Sequence, residues 1–464
     1  MKSSKLFRRV VITVVMIPIA FLLIAWLVNL AFFDEDLNPD IASNLQPVQR
    51  PPLEGNAYFA MWGISATADK DMIESGVRLV ERYRDKLAKS GLATLTPDDF
   101  VDILGAADLD EAWLSDYTCL ARTNYGCLAN TRRSLQKGSI ASSRSQLMLA
   151  RHQQILQMQF FKNWGGSSFT APVPPYWTFL RLSQLKLASL SDSNLRSDFL
   201  QQLQLDIQFW KMMLVQGSEV IDKMFAIAGI WTVVQFLSEY LTAHDLSGDD
   251  LRLAMSLLVP LSANELNLAD AFISEQQTLY RSLDNNGHAL PDFGPLVSPW
   301  LIQVNATSNS YYEHVIEPVV YLSGLTGAEF YEQTRMSEHR NRSISNAHGH
   351  DAVDAMTTVW PGTLYNLGGK VLLSKLLGYP ANYIARVHDL NSMISLVGLQ
   401  LSMQVAEIDS GADILKEVAS AGSGINTLLA GKDLSFDPAD GWLQFDCLYE
   451  RSFCKIKLNT EGVD

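Results

Sequence analysis

The 464-residue chain lacks the short motifs that mark common catalytic and nucleotide-binding sites. It contains no Gly-x-x-x-x-Gly-Lys-Ser/Thr loop, no Gly-x-Gly-x-x-Gly, no His-Glu-x-x-His and no Gly-x-Ser-x-Gly. None of its eight histidines follows a glutamate by three positions, which excludes the Glu-x-x-His pairs of bundle-type di-iron sites. We therefore predict no cofactor and favour a non-enzymatic protein.

Cysteine is also scarce, with four residues that form two close pairs, Cys119 with Cys127 and Cys447 with Cys454. These spacings do not match the Cys-x-x-Cys pairs of redox or zinc sites. An even number of cysteines in a domain outside the cytoplasm is typical of structural disulfides. The sequence therefore predicts two local disulfides.

A long apolar run, residues 10–33, contains no charged residue. As a helix it would reach about 36 Å, enough to cross a bilayer with some tilt. Basic residues precede it and acidic residues follow it, so the positive-inside rule orients the N-terminus to the cytoplasm. We predict a single-pass protein of the bacterial inner membrane with most of the chain in the periplasm. A cleaved signal peptide is the alternative, which the length and bulky end of the run disfavour.

The charge balance is acidic, with a formal net charge of −14. Without the four basic residues before the apolar run, 32 basic and 50 acidic residues remain. An acidic outer part disfavours binding to nucleic acid and to anionic lipid headgroups. We therefore predict no nucleic-acid partner and a membrane contact made through residues 10–33.

The sequence pattern divides the chain into a cytoplasmic basic tail (1–9), a transmembrane helix (10–33), a proline-rich linker (34–54), a helical domain (55–432) and a C-terminal β-hairpin element (433–464). Proline is expected to interrupt any helix within the linker. The predicted fold class is mostly α, with about ten to twelve packed helices and a small β-hairpin or three-stranded sheet at the C-terminus. The helical region exceeds the usual size of one core, so one domain or two both stay open.

Helical periodicity and capping residues predict the positions of the helices. Thr96-Pro97 marks one helix start, and the capping box of Ser262 and Glu265 marks the start of another helix that extends to about Leu283. Near the C-terminus, Asp437-Pro438 and Asp440-Gly441 are turn residues between predicted strands. The other predicted helices cover residues 69–89, 132–161, 176–190, 194–215, 218–243, 248–259, 310–335, 366–378, 380–408 and 411–419.

A loop at residues 163–175 is rich in glycine, serine and proline and is bracketed by aromatic residues, among them Phe161, Trp164, Tyr176 and Trp177. Such rings could line a binding groove, but more often they pack a loop onto the core. We favour packing onto the core.

Two polar clusters are weak candidates for chemistry. His348, His350 and Asp351 have a spacing that can close on zinc, but no apolar shell surrounds them in the sequence. His314 and Glu317 would be neighbours on a helix, where the histidine could act as a general base or form a surface pair. We predict no catalytic residue and no metal site, and keep these five residues as weak candidates.

Four segments carry a resemblance to a known group of proteins. They are Asn56-Ala57-Tyr58-Phe59 with Trp62-Gly63-Ile64, the two-cysteine loop at 119–128, Asn366-Leu367-Gly368-Gly369-Lys370 with residues 383–390, and Asp437-Pro438-Ala439-Asp440-Gly441. In these segments the chain resembles an uncharacterised group of proteobacterial single-span envelope proteins that are mostly helical. Leu367 stands where that group tends to have proline. The resemblance implies an architecture and a location, and no activity.

Asn366 and Lys370 are singled out by this resemblance alone, and for them we favour a capping or packing role. The leading functional hypothesis is a membrane-tethered periplasmic protein that acts as a non-enzymatic binding or assembly factor with a protein partner in the envelope. The alternatives are an envelope hydrolase with His314 or His348 as participants, and a small-ligand or lipid-binding protein with an unrecognised pocket.

Overall fold

A long apolar helix, Val220–Ala243, lies at the centre of the fold in the computed structural model. Its side chains are buried around its whole circumference, which is typical of a core helix. The helices Arg196–Gln216 and Pro380–Val405 pack along it and supply much of the surrounding core. Among the residues that the structure describes, it is the one helix long and apolar enough to cross a membrane, and 83% of its most apolar window is buried in the fold.

The structure describes residues 15–17, 19–20, 23–45, 49–90, 95–105, 112–115, 117–119, 125–137, 142–164, 172–191, 196–284, 299–341, 365–376, 380–408, 413–414, 416–417, 434–449 and 453–458. The helices, in chain order, are α1 (Pro39–Asn44), α2 (Ala57–Trp62), α3 (Met72–Ser90), α4 (Pro97–Leu104), α5 (Ala112–Ser115), α6 (Cys127–Lys137), α7 (Ser143–Leu156), α8 (Tyr176–Leu190), α9 (Arg196–Gln216), α10 (Val220–Ala243), α11 (Gly248–Leu257), α12 (Ala263–Leu266), α13 (Ala269–Asp284), α14 (Val304–Tyr311), α15 (Glu317–Ser323), α16 (Gly327–Asn341), α17 (Leu367–Leu376) and α18 (Pro380–Val405).

The prediction of a mostly helical fold is confirmed, and several helix starts follow the predicted signals. Thr96 and Asp99 form a capping box at α4, and Ser262 and Glu265 form one at α12. The prediction of one helix over 132–161 was wrong, because α6 and α7 are separate helices. The predicted helix from Ser262 to residue 283 is likewise divided, since the backbone becomes extended at Asn267 before α13 begins.

The helices predicted over 310–335 are present as α14, α15 and α16, and the first of them begins earlier, at Val304. A π-helical turn, Tyr312–Ile316, lies between α14 and α15. Pro318 in the first turn of α15 has no N–H to donate to the carbonyl of residue 314, and its ring would clash with that carbonyl in a regular α-helix. A widened π turn accommodates this defect.

The predicted span is residues 10–33, whereas the described helix that is long and apolar enough to cross a membrane is α10. Residues 10–14, 18, 21 and 22 of the span lie outside the described part of the chain. Residues 15–17, 19–20 and 23–28 are helical, and most of their apolar side chains are exposed. The N-terminal span therefore stays a prediction.

The segment predicted as a helix-free linker contains the short helix α1. Pro39 lies at its first position, where a missing N–H costs nothing, and the side chain of Asn38 caps it. Ile41 is only 1% exposed, and α1 packs against α13. The expectation that proline would exclude a helix here was wrong.

The C-terminal strands are β1 (Leu434–Asp437), β2 (Trp442–Phe445) and β3 (Lys455–Lys457), which form one antiparallel sheet in the order β1-β2-β3. The predicted three-stranded sheet is confirmed. Leu443 and Ile456 are fully buried partners across β2 and β3, and β3 packs on α10 and α18. The sheet therefore closes one end of the helical core.

Both predicted disulfides are present. Cys119 pairs with Cys127 at a Cα–Cα distance of 5.8 Å, and Cys447 pairs with Cys454 at 5.7 Å. The second bridge lies in the connection between β2 and β3, because Cys447 follows β2 and Cys454 directly precedes β3. Each bridge closes a short loop and holds that loop against the core.

Candidate functional site

The end of the N-terminal helix is bonded to the body of the protein at a surface we call the junction. The junction consists of residues 25–40 on one side and residues 299–312 and 365–369 on the other. Ala25 and Leu301 are 2% and 3% exposed and pack together with Val28 and Leu367. The apolar contact at this surface lies directly beside a network of hydrogen bonds.

Asn366 is the centre of that network and is 3% exposed. Its backbone N–H donates to the Asn29 side-chain oxygen at 2.7 Å, and its own side-chain oxygen accepts from the Gln303 N–H and the Thr307 hydroxyl, both at 2.9 Å. Gln303 also donates to the carbonyl of Leu30 at 3.1 Å. Buried amides bonded in this way rigidify a contact, because breaking any one leaves a buried group unpaired.

The acidic residues after the apolar run continue the junction. Asp34 accepts from the backbone N–H groups of Asn305 and Ala306 at 2.9 and 3.0 Å, so its carboxylate caps the N-terminus of α14. Asn309 donates to the Asp36 carbonyl and accepts from the Asn38 N–H, each at 2.9 Å. The predicted linker is thus fixed to the body along its first part.

Two glycines make the close approach at the junction possible. A Cβ on Gly368 would lie 3.0 Å from the Leu301 carbonyl oxygen, and a Cβ on Gly369 would overlap the side chains of Thr307 and Asn366. Asn366 itself has a positive φ of 51°, which asparagine tolerates better than most residues. The structure therefore gives the Asn-Leu-Gly-Gly segment the packing role that its sequence favoured.

His314 and Glu317, the candidate general base and its neighbour, are both exposed. His314 lies in the π-helical turn, and its Nδ1 is 2.8 Å from the Ser310 carbonyl oxygen. This environment is that of a surface histidine rather than of a base held in a cleft. His348, His350 and Asp351, the candidate metal ligands, lie outside the described residues.

A buried polar chain that the sequence analysis missed joins α7, α8 and α9. His152 Nε2 is 3.0 Å from Ser183 Oγ, Ser183 donates to Asp206, and Gln202 donates to the other Asp206 oxygen at 2.7 Å. Burial, with a smaller effect of Lys186, lowers the pKa of His152 to about 3. Burial also raises the pKa of Asp206 to about 6, against the effect of its hydrogen bonds. All four side chains are at most 4% exposed, so the chain connects helices inside the core.

The aromatic residues around the 163–175 loop divide into two groups. Phe161 and Tyr176 are fully buried, as predicted for packing onto the core. Trp164 instead lines a small pocket with Tyr58, Arg84 and other residues, and its cavity volume of about 20 Å³ has room for about one water molecule. The Arg84 guanidinium lies 4.7 Å from the centre of the Trp164 ring and donates to its carbonyl.

A partly buried glutamate supports the first disulfide. Glu239, on α10, accepts from the N–H groups of Gly126 and Cys127 with one oxygen and from that of Leu128 with the other, at 2.9 to 3.0 Å. These donors are the start of α6, which a carboxylate stabilises. Burial raises the pKa of Glu239 to about 7, although these N–H groups oppose the shift.

One group of potential metal ligands occurs among the described residues, Asp389 with Cys447 and Cys454. The two sulfurs are joined in a disulfide and are not thiolates. Asp389 accepts from the N–H groups of Leu448 and Tyr449 at 2.8 and 2.9 Å, so it fastens the β2–β3 connection to α18. The donor set fits a structural role.

The sequence signals for these sites were weak, because single asparagines, serines and histidines inside helices look alike whether buried or exposed. The Asn366 segment was the exception, since the resemblance to the group of envelope proteins singled it out. No family model, no curated protein and no solved structure matches this chain.

Proposed function

We propose that the chain is a single-pass protein of the bacterial inner membrane, anchored by residues 10–33 with its N-terminus in the cytoplasm and its body in the periplasm. Its function in this proposal is that of a non-enzymatic binding or assembly factor for a protein partner in the envelope. The observation that carries the proposal is the junction. There Asn29 is bonded to Asn366, and Asp34 is bonded to the N-terminus of α14.

A junction of this kind serves a protein whose position relative to the membrane matters. A flexible linker would allow the body to take many orientations. Here the residues directly after the apolar run are bonded to the body, and Ile17, Leu23 and Leu27 on the same helix are more than half exposed. Exposed apolar helix next to a fixed polar junction supports an anchor that presents one face of the body to a partner.

The test is purification of the natively expressed full chain from membranes in mild detergent after crosslinking, with mass spectrometry. Gly369→Ala disrupts the junction, and Gly398→Ala is the matched control because nothing lies within 4 Å of a Cβ there. We expect one reproducible partner that is lost in the first variant and kept in the second. A monomer or homo-oligomer without a partner would contradict the binding function.

A reporter fused after Asp464 tests the topology separately. We expect activity from a reporter that works only outside the cytoplasm, because the basic residues precede the apolar run. Activity of a cytoplasm-specific reporter would reverse the proposed orientation.

A further inference from the structure

We infer that the turn Pro299–Leu301 enters the outer leaflet of the bilayer beside the N-terminal helix, so that the body is partly immersed in the membrane. The inference rests on the proposed anchor and adds a second membrane contact, made by the body itself. Its main residue is Trp300, which is 44% exposed. The occupant of this surface is the hydrocarbon and interface of the lipid bilayer.

The position of Trp300 is the first observation. Its ring lines an apolar depression together with Ile19, Leu23 and Trp26 of the N-terminal helix. All four side chains are between 43% and 56% exposed, so together they form an apolar surface that nothing in the described part of the chain covers. Tryptophan is common where a protein meets the membrane interface, because its ring is apolar and its N–H is polar.

The depth follows from helix geometry. Asp34 is the first charged residue after the apolar run, so on the periplasmic side the hydrocarbon ends at or before this position. The regular helix ends at Val28, and Leu23 lies five residues before that end, which is about 8 Å along the helix axis. Trp300 lines the same depression as residues 19–26 and therefore lies at their level, below the surface of a bilayer that the helix crosses.

The length of the lipid-exposed helix leads to the same conclusion. From Val10 to Ile24 a helix reaches about 22 Å, which is short of a hydrocarbon core about 30 Å thick. From Ala25 onward the helix packs on Leu301 and Leu367. The apolar run spans the core only if its last turns, and the protein surface packed on them, also lie within the membrane.

The polar groups at this level are satisfied in the way that a lipid environment requires. Asn29 donates to the Ala25 carbonyl and accepts from Asn366, and Gln303 donates to the Leu30 carbonyl. These bonds pair groups at the end of the helix within the protein, where no water is available in a bilayer. Residues 299–304, from the turn to the first residue of α14, also carry no charge, which removes the largest cost of immersion for this segment. The Asp34 carboxylate is bound further along the chain, at the N–H groups of Asn305 and Ala306.

The test uses spin labels on single introduced cysteines in the full chain, reconstituted in bilayers of phosphatidylethanolamine and phosphatidylglycerol. The native cysteines are all in disulfides, so only the introduced thiol reacts. Trp300→Cys is the test position, Trp177→Cys is the matched control with an exposure of 47%, and Leu23→Cys reports on the anchor. Collisions with oxygen, which concentrates in lipid, are compared with collisions with a water-soluble nickel chelate.

We expect the ratio of oxygen to nickel collisions at position 300 to resemble that at position 23 and to exceed that at position 177 several-fold. A ratio at 300 equal to that at 177, with a lipid-like ratio at 23, would overturn this inference and leave the anchor intact. A water-like ratio at 23 would refute the anchor and the inference with it. Quenching of tryptophan fluorescence by brominated lipid is an independent test. Trp300→Phe should lower the fraction of the fluorescence that the lipid quenches, and Trp177→Phe should not.

Discussion

Replacing His152 and Asp206 should change the pH dependence of stability in opposite directions. Native His152 stays neutral down to about pH 3, whereas an unfolded histidine takes up a proton near its ordinary value of 6.5. Unfolding in acid therefore binds a proton at this residue, and stability falls as the pH drops below 6.5. Asp206 acts in the reverse sense, because its native pKa of about 6 lies above the ordinary value of 3.8. Native Asp206 takes up a proton first, so its contribution to stability rises as the pH falls from 6 toward 3.8.

The two effects nearly cancel in the wild type. Between about pH 6 and 4 the native pair and the unfolded pair each hold about one proton, on Asp206 in the native state and on His152 in the unfolded state. When the native and unfolded states differ by one bound proton, the free energy of unfolding changes by about 1.4 kcal/mol per pH unit. Each residue alone therefore changes the free energy of unfolding by about 2 kcal/mol from pH 7.5 to pH 4.7. Removing one partner uncovers the effect of the other.

The assay is urea denaturation of the full chain in detergent, followed by tryptophan fluorescence, at about pH 7.5 and about pH 4.7. Both variants lose stability at either pH, because a buried partner of Ser183 is removed. Relative to wild type, Asp206→Asn should lose about a further 2 kcal/mol on acidification, and His152→Gln should regain about as much. Comparison with wild type cancels the titration of the other carboxylates. Parallel pH profiles, or shifts of the same sign, would refute the assigned protonation states.

Three further outcomes are expected. Gly369→Ala should lower the free energy of unfolding by about 2–3 kcal/mol, because the added methyl group overlaps Thr307. Gly398→Ala should raise it by up to about 1 kcal/mol, and equal urea midpoints for the two variants would contradict the close packing at Gly369. Asp99 is bonded to Lys86 and Thr96, and these contacts outweigh the effect of burial and hold the pKa of Asp99 below its usual range. The ionised carboxylate therefore stabilises the protein above about pH 3.8, and this stabilisation is lost in stronger acid. The deficit of Asp99→Asn in urea melts should therefore shrink below about pH 4, and a constant deficit would contradict this. Thiol titration of the unreduced, unfolded chain should find no free thiol, and four thiols before reduction would refute the disulfides.

The regular elements could be predicted because their signals are local. The start of α4 at Thr96 and the strands around Asp437-Pro438 depend on residues a few positions apart. The breaks between α6 and α7 and before α13 were missed, since an apolar periodicity can run through a bend. The π-helical turn could have been suspected from Pro318, which lies inside an otherwise helical pattern.

The junction and the buried chain could not be predicted, because both depend on long-range contacts. Asn29 and Asn366 are 337 positions apart, and His152, Ser183 and Asp206 come from three different helices. A buried asparagine and an exposed one have the same letter in the sequence and occupy similar helical positions. The missing information is which polar residues face each other once the helices have packed.

The distance along the chain between Asn29 and Asn366 has a consequence for biosynthesis. In the proposed topology the apolar run leaves the ribosome first, and Gln303, Thr307 and Asn366 follow only after most of the chain has been made. A nascent chain would thus be attached to the membrane long before its orientation there is set. Chains that end before residue 366 would remain anchored without an oriented body, and such products would be natural substrates for proteolytic quality control at the membrane.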